Sequence, residues 1–475
     1  MSRFLRTALV TAVAVTALPA AADAKTGAPI PPPRPPQNPH MADNPFNNIH
    51  NDPWMTDSYR IAGPRPGSFT TSLGTYPASL CGSLTFDDRG RILSVCPSIG
   101  SAPTARLFDP QTLQVQASLT LPNAPTPPGT SEFQNFAGGG YFFLDERGRI
   151  WSATKTNHLF VLRVAADGRS FEKVDDFDLT SAVVGNERIS SALPDFRGRI
   201  WFVTKANGKV GVLNTKTRRI HVLRTGEEIE NSFTIDRDAV YIVSDKKMYR
   251  FSAGRDDKPR IDWQVRYDNS GIVKPGQVDA GSGTTPTILP RGYVAITDNA
   301  DPMQVVVYRT AKHTRRRVVC EVPVFQKGAS ATENSLLGSG RSLIVENNFG
   351  YVNPFDTANA GKLTTPGFAR VDVNRNGRGC RKVWETRTER GASVVPKLST
   401  KTQLIYTYVQ DAGAAPGQER WSWVGLSART GRTVFKQLAG IGIGANNNYA
   451  GLAIGPDGSA YLGTIGGLRR LRNAG

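Results

Sequence analysis

Short apolar runs alternate with polar turns along most of this chain, and three of the turns are near-copies. Asp87-Asp88-Arg89-Gly90-Arg91-Ile92-Leu93 returns as Asp145-Glu146-Arg147-Gly148-Arg149-Ile150-Trp151 and as Asp195-Phe196-Arg197-Gly198-Arg199-Ile200-Trp201. Each copy sets a tight polar turn between two apolar runs, which predicts a β-hairpin inside a repeat of about fifty residues. Weaker turns continue the pattern. Apolar runs flank them at 232–235 and 240–243, 287–289 and 293–296, 336–337 and 343–345, 395–398 and 404–406, and 452–454 and 460–462. That makes eight hairpins.

Most hairpins are followed by two more strand-like runs, as at 105–108 and 115–119 or 210–213 and 220–223. Four strands per repeat is the unit of a β-propeller blade. The expected fold is therefore all-β, an eight-bladed propeller, with seven blades as the alternative count. The last repeat runs out of chain one strand short. A strand near Tyr59-Arg60-Ile61 is expected to complete it and so remove an open sheet edge.

Ahead of the repeats the pattern changes twice. Arg3 and Arg6 precede an apolar stretch from Ala8 to Leu18 that ends at Ala22-Asp23-Ala24, the layout of a secretory leader over residues 1–24. The stretch is shorter than the roughly 20 residues of a membrane span, so no transmembrane anchor is expected. Residues 25–55 are proline-rich and polar, with Pro31-Pro32-Pro33-Arg34-Pro35-Pro36 predicting an extended arm, either a spacer or a wrapped segment. The propeller then occupies 56–475. A periplasmic or secreted location follows from the leader.

Four cysteines are too few for a disulfide scaffold, but an even number in an oxidising compartment favours two bridges. Cys81 and Cys96 lie symmetrically about the first Arg-Gly turn and are expected to face each other across a hairpin. Cys320 and Cys380 fall in outer strands of consecutive repeats, which suits a bridge between neighbouring blades; four free buried thiols are the alternative. The chain carries 58 basic and 40 acidic residues, a net charge of +18, and removing the leader would leave +17. That balance favours acidic partners such as an anionic glycan or an envelope polymer. No aromatic-basic platform for nucleic acid stands out.

The repeat length, the eightfold count and partial Trp-docking signatures resemble the quinoprotein alcohol dehydrogenase-like propellers, whose repeat motif is Ala-x-Asp-x-x-Thr-Gly-x-x-x-Trp. The best match is Gly425-Leu426-Ser427-Ala428-Arg429-Thr430-Gly431-Arg432-Thr433-Val434-Phe435, with fainter echoes at Asp109 with Thr112 and Asn214 with Thr217. The resemblance implies the propeller over residues 60–475. It would also imply pyrroloquinoline quinone under a vicinal Cys pair, with calcium-binding acids. The chain has no Cys-Cys dipeptide, so the quinone is not expected.

In a propeller, the loops entering the innermost strands and leaving the second strands ring the mouth of the central channel. Those loops supply Glu230, Asn231, Asp298, Asn299, Glu333, Asn334, Glu346, Asn347, Asn348 and Asn447. Carboxylate and amide oxygens on one rim suit calcium, with Glu230, Asp298, Glu333, Glu346 and Asn347 as candidate ligands and the remaining amides as a binding rim. The competing explanation is that Asn, Asp and Ser cap turns throughout such folds. Of five histidines, His158 alone falls in a rim loop; His40 and His50 lie in the arm, and no His-x-x-x-His, Gly-x-Ser-x-Gly or Walker-type motif occurs. Trp421 and Trp423 alternate on one strand face, placed either for packing or for stacking on a sugar. The function expected is a monomeric propeller presenting its rim to a protein, glycan or envelope partner. The alternative is an enzyme, either a metal-assisted hydrolase of lactonase type or a diverged quinone oxidoreductase.

Overall fold

A computed structural model describes residues 26–76, 79–98, 101–126, 138–356, 362–412 and 415–475. The expected leader lies outside them. Eight antiparallel four-stranded sheets form the ring. Blades 1 to 7 occupy residues 84–120, 142–178, 189–224, 234–266, 287–323, 337–386 and 397–441. Blade 8 takes three strands from 452–473 and its outermost strand, Phe69–Gly74, from the N-terminal side.

Ring closure thus happens as expected but with a different segment. Tyr59 instead pairs in parallel with the inner strand of blade 7, Lys397–Ser399. The choice is made by long-range packing: Phe69 sets its ring 4.8 Å from that of Phe435 in the outer strand of blade 7. Tyr59 is buried on the inside of the ring, at 3% exposure.

The recurring turns work through their aspartate. In blade 2, Asp145 Oδ1 accepts the backbone N–H groups of Arg147 and Arg149 (3.0 and 2.9 Å). Its Oδ2 accepts Nε and Nη2 of Arg149 (both 2.7 Å) and the indole N–H of Trp151 (2.8 Å). Asp195 repeats the set with Arg197, Arg199 and Trp201, and Asp87 does so with Arg89 and Arg91, where Leu93 replaces the Trp. Gly90, Gly148 and Gly198 hold φ of 73°, 68° and 80°, the left-handed geometry such a turn needs. The second arginine also joins blades: Arg199 Nη1 donates to Gly254 O (2.8 Å) and pairs with Asp257 (3.2 Å) in blade 4.

Trp384 makes a second kind of joint between blades. Its ring lies over Gly431, where any Cβ would come within 3.0 Å of the indole, and its N–H donates to Ala428 O in blade 7 (3.1 Å). That is the stretch matching the quinoprotein repeat motif. Trp421 and Trp423 are buried against Tyr408, with ring centroids 5.8 and 5.3 Å away, so packing is their role. Both expected disulfides form. Cys81, in the loop entering blade 1, is bridged to Cys96 at the end of that blade's second strand (Cα–Cα 4.2 Å), and Cys320 and Cys380 join blades 5 and 6 (5.7 Å).

The arm is wrapped, not a spacer. Residues 26–36 cross blades 6 and 7 at the hairpin-turn end of the ring, with Gly27 N–H on Arg429 O and Ser339 Oγ on Pro31 O. The chain then enters the channel from that end. Inner-strand N–H groups of Leu144, Ile235, Ile288, Gly338 and Leu398 donate to the carbonyls of Asn47, Pro53, Trp54, Thr56 and Asp57 at 2.7–3.0 Å. One end of the channel is thereby closed. No helix among the described residues is long and apolar enough to cross a membrane.

Candidate functional site

With the turn end sealed, the channel remains as a chamber of about 460 Å³ opening at the other end. Its floor is Ile49 and His50 of the arm, and its walls are the rim loops. One side, from blades 1, 2, 7 and 8, is largely apolar: Leu80, Pro97, Tyr141, Val395 and Tyr449. The opposite side, from blades 3 to 6, is charged: Arg188, Lys205, Glu228, Glu230 and Glu333, with Asn231 and Asn334.

On the charged side, carboxyl groups outnumber the cations available to neutralise them. Lys205 Nζ forms a short ion pair with Glu230 and lies 3.6 Å from Glu228. Glu230 reaches the chamber with only 12% of its side chain exposed, and burial raises its pKa despite the lysine. Asp279, 5% exposed, stands behind it. Burial first, then repulsion from Glu230 and Glu228, pushes the Asp279 carboxyl well above the usual range. Glu333 is raised likewise, by burial and then by Asp279 and Glu230; the Val278 N–H at 3.1 Å and the charge of Lys205 oppose the rise. Burial and mutual repulsion thus favour the protonated form of Glu333 and Asp279 relative to a free carboxyl. A protonated carboxyl donates a hydrogen bond to an oxygen ligand, and an ionised one pairs with a cation.

The floor carries a second arrangement. His50 Nδ1 and Asp57 Oδ2 are 2.9 Å apart, and Lys397 pairs with the other Asp57 oxygen. Burial would push Asp57 up, but His50 and then Lys397 hold its pKa below the usual value, so it is ionised. His50 Nε2 is left facing Thr285 Oγ1 at 3.4 Å, beneath the chamber. Sequence reasoning set His50 aside as an arm residue. Its partners Asp57 and Thr285 are 7 and 235 positions away, and Lys397 lies 340 positions beyond Asp57, so no local signal marked it.

Of the proposed metal ligands, Glu230 and Glu333 share the chamber; the other three do not line it. Asp298 accepts the N–H groups of Gln304 (2.7 Å) and Ala300 (3.2 Å), and burial pushes it up to about 7. Glu346 accepts from Asn334 and Asn348 beneath the rim, and Asn347 accepts from Ala331 N–H (3.2 Å) and Phe349 N–H (3.1 Å). Among the described residues, no three His, Cys, Asp or Glu side chains converge in a geometry that would hold a metal ion. Asn231 accepts from Tyr141 Oη (3.1 Å) at the chamber wall, whereas Asn299, Asn348 and Asn447 bond backbone carbonyls in their own or adjoining loops. His158 opens the third strand of blade 2, bonded to Asp176 (2.7 Å), away from the chamber.

No protein-family model matches the chain. An uncharacterized protein of Archaeoglobus fulgidus is 28% identical over 333 residues; the match spans 63% of this chain and 63% of that protein, less than two thirds of its length. The ring is similar to that of a europium-containing methanol dehydrogenase, with a TM-score of 0.54 at 11% identity over 89% of this chain and 91% of the other. It is similar also to the quinohemoprotein alcohol dehydrogenase of Comamonas testosteroni, with 0.57 at 10% identity over 92% and 80%. These likenesses bear out the remote resemblance to the quinoprotein-type propellers and establish the fold alone. The residues present do not suit that family's quinone. Pyrroloquinoline quinone is a tricarboxylate, and this chamber meets it with Glu228, Glu230 and Glu333 against Arg188 and Lys205. The four cysteines are committed to two bridges between distant positions.

Proposed function

We propose that this chain is an exported binding propeller whose mouth chamber takes a small amphipathic ligand, with an apolar body and an amine- or hydroxyl-bearing head. The observation that carries this reading is the divided chamber itself. A cavity of about 460 Å³ falls in the usual range for small-molecule sites, and its charged wall holds Glu228, Glu230 and Glu333 against Arg188 and Lys205, with Lys205 already paired to Glu230. The two disulfides support an oxidising compartment.

Thermal unfolding with a panel of primary amines, short saccharides and calcium tests the proposal. A ligand at 100 times its Kd stabilises by about 2.7 kcal/mol, which is readily seen as a rise in Tm. The expected rise comes from an amine or a saccharide and is lost in Glu333→Gln. An amine pairs with an ionised carboxylate, and burial raises the pKa of Glu333, so amine affinity should climb as pH rises; a saccharide should show no such climb. No rise with any member of the panel, or an undiminished rise in Glu333→Gln, would overturn the reading.

One observation favours a catalytic variant of the same site. His50 lines the chamber floor with Nδ1 fixed by the ionised Asp57 and Nε2 in reach, among the described residues, only of Thr285 Oγ1 at 3.4 Å, the pairing a general base requires. Hydrolysis of a panel of aryl esters and lactones that is abolished in His50→Gln at unchanged Tm would establish it.

A further inference from the structure

The propeller topology sorts the charge of this chain onto opposite faces. Strands alternate direction, so every turn between third and fourth strands falls on the closed face, the one the arm covers. In blades 3, 5, 6 and 7 those turns are residues 214–219, 310–317, 374–379 and 428–432. Together they hold eleven Lys or Arg and no Asp or Glu, while the corresponding turns of blades 1, 2 and 4, residues 109–114, 165–170 and 254–258, hold three Lys or Arg and four Asp. The mouth is the reverse. Residues 225–233, 244–246, 267–286 and 298–303, in the mouth loops of blades 4 and 5, hold eight Asp or Glu against two lysines.

The closed face also has a concave seat. A cleft of about 320 Å³ lies between the arm and the first turns of blades 5 and 6, bordered by Arg34, Arg291 and Arg341. Its one carboxylate, Asp372, is already held by Arg370 (2.8 and 3.1 Å). Arg341 donates to Val373 O (2.6 Å), while among the described residues no hydrogen bond or ion pair engages the guanidinium groups of Arg34 and Arg291.

We propose that the closed face binds an anionic polysaccharide, with Arg34, Arg291 and Arg341 seating one sulfated or carboxylated sugar and the basic turns holding the chain on either side. Guanidinium groups pair in a two-pronged fashion with carboxylate and sulfate oxygens, and a cleft of this size admits a single ring. Two observations set other polyanions behind this one. A bilayer is flat and rewards apolar insertion, yet among the described residues none of the exposed large apolar side chains, such as Ile272, Phe355 and Ile441, sits in a closed-face turn. A rigid nucleic-acid duplex cannot enter the cleft. The site is independent of the mouth chamber and stands or falls separately from it.

The test is titration of the full chain with heparin, with uncharged dextran as the control, across a series of salt concentrations. Heparin should bind with an affinity that falls steeply with salt, and dextran should not bind. The double variant Arg34→Ala/Arg291→Ala removes two exposed side chains without touching the Arg341 contact. It should weaken binding by about tenfold or more and lower the salt slope by about two, at unchanged Tm. Removing two cations remote from the cleft, Arg315→Ala/Arg316→Ala, should cost less. Equal losses from the two pairs would overturn the seat. Tighter binding to phosphatidylglycerol vesicles or to duplex DNA than to heparin at the same salt would overturn the choice of ligand. Glu333→Gln should leave heparin binding unchanged whatever it does at the mouth.

Discussion

Glu346 offers the sharpest quantitative test of the electrostatics beneath the rim. It ends the second strand of blade 6 with 2% exposure. Oε1 accepts from the side-chain amides of Asn334 and Asn348, and Oε2 lies against Gly391 with no hydrogen-bond partner among the described residues. Burial pushes the carboxyl up to about 8, and the two amides pull back only part of that rise. Because the folded pKa exceeds the unfolded one, the folded state binds the extra proton, and stability falls as pH rises between the two values. Below about 4.5 both states are protonated and the group is neutral to folding. Above about 8 both are ionised and the cost is complete. The rise from 4.5 to about 8, at about 1.36 kcal/mol per pH unit, corresponds to about 5 kcal/mol. Glu346→Gln keeps the shape and removes the charge. Urea unfolding of both proteins at pH 5, 6, 7 and 8 should show similar midpoints at pH 5, then a gap in favour of the variant that widens by about 1 kcal/mol or more per pH unit. A gap that stays constant with pH would show that Glu346 is not held protonated by burial, and would refute the account given for the rim carboxyls.

The turn aspartate should matter far more than its acidic neighbours. Asp195→Asn, which removes the carboxylate shared by Arg199, Trp201 and two backbone N–H groups and leaves Arg199 only the Asp257 carboxylate at 3.2 Å as its anion, should cost about 2–3 kcal/mol in urea unfolding, whereas Glu146→Gln, at an exposed pair, should cost under about 1 kcal/mol. Replacing Cys320 and Cys380 together by Ser should cost about 4 kcal/mol, more than the same change at Cys81 and Cys96. Their separations are 60 and 15 residues, and the longer loop gains more from closure. A chain lacking residues 26–60 should unfold at lower temperature and recover part of the loss when a synthetic peptide of residues 37–60 is added in excess; a peptide without effect would show that the channel segment is dispensable.

How far the sequence foretells this structure depends on the range of each interaction. The hairpins were legible because Asp87, Asp145 and Asp195 act on residues two to six positions away, which forces the same local letters each time. The Cys320–Cys380 bridge was legible once the blades were counted, since both residues fall in outer strands. The closing strand was not, because 69–74 and 59–61 are both plausible strands locally and the decision rests on Phe435, far away in the chain. His50 was invisible for the same reason: a histidine in a polar, proline-rich arm becomes a floor residue only when the arm enters the channel. The polarity of charge was hidden in plain composition. It appears only when turns are assigned to alternate ends of the ring.

The arm is what turns a ring into a site. Inner strands of two to six residues pair on one side with their own blade, so their other backbone groups point at the axis. A buried N–H without a partner costs about 1–3 kcal/mol, and five of them, from blades 2, 4, 5, 6 and 7, find acceptors only on carbonyls of residues 47–57. Side chains follow the same logic, with Thr85 donating to Phe46 O (2.6 Å) and Thr234 to Pro53 O (2.8 Å). The arm satisfies the closed half of the channel and stops at the level of Ile49 and His50, so what it leaves unfilled is the chamber. The depth of the arm therefore sets the depth of the chamber. The mouth loops, freed from lining a continuous pore, carry partly buried acids on the chamber wall, Glu230 paired with Lys205 and Glu333 held by the Val278 N–H.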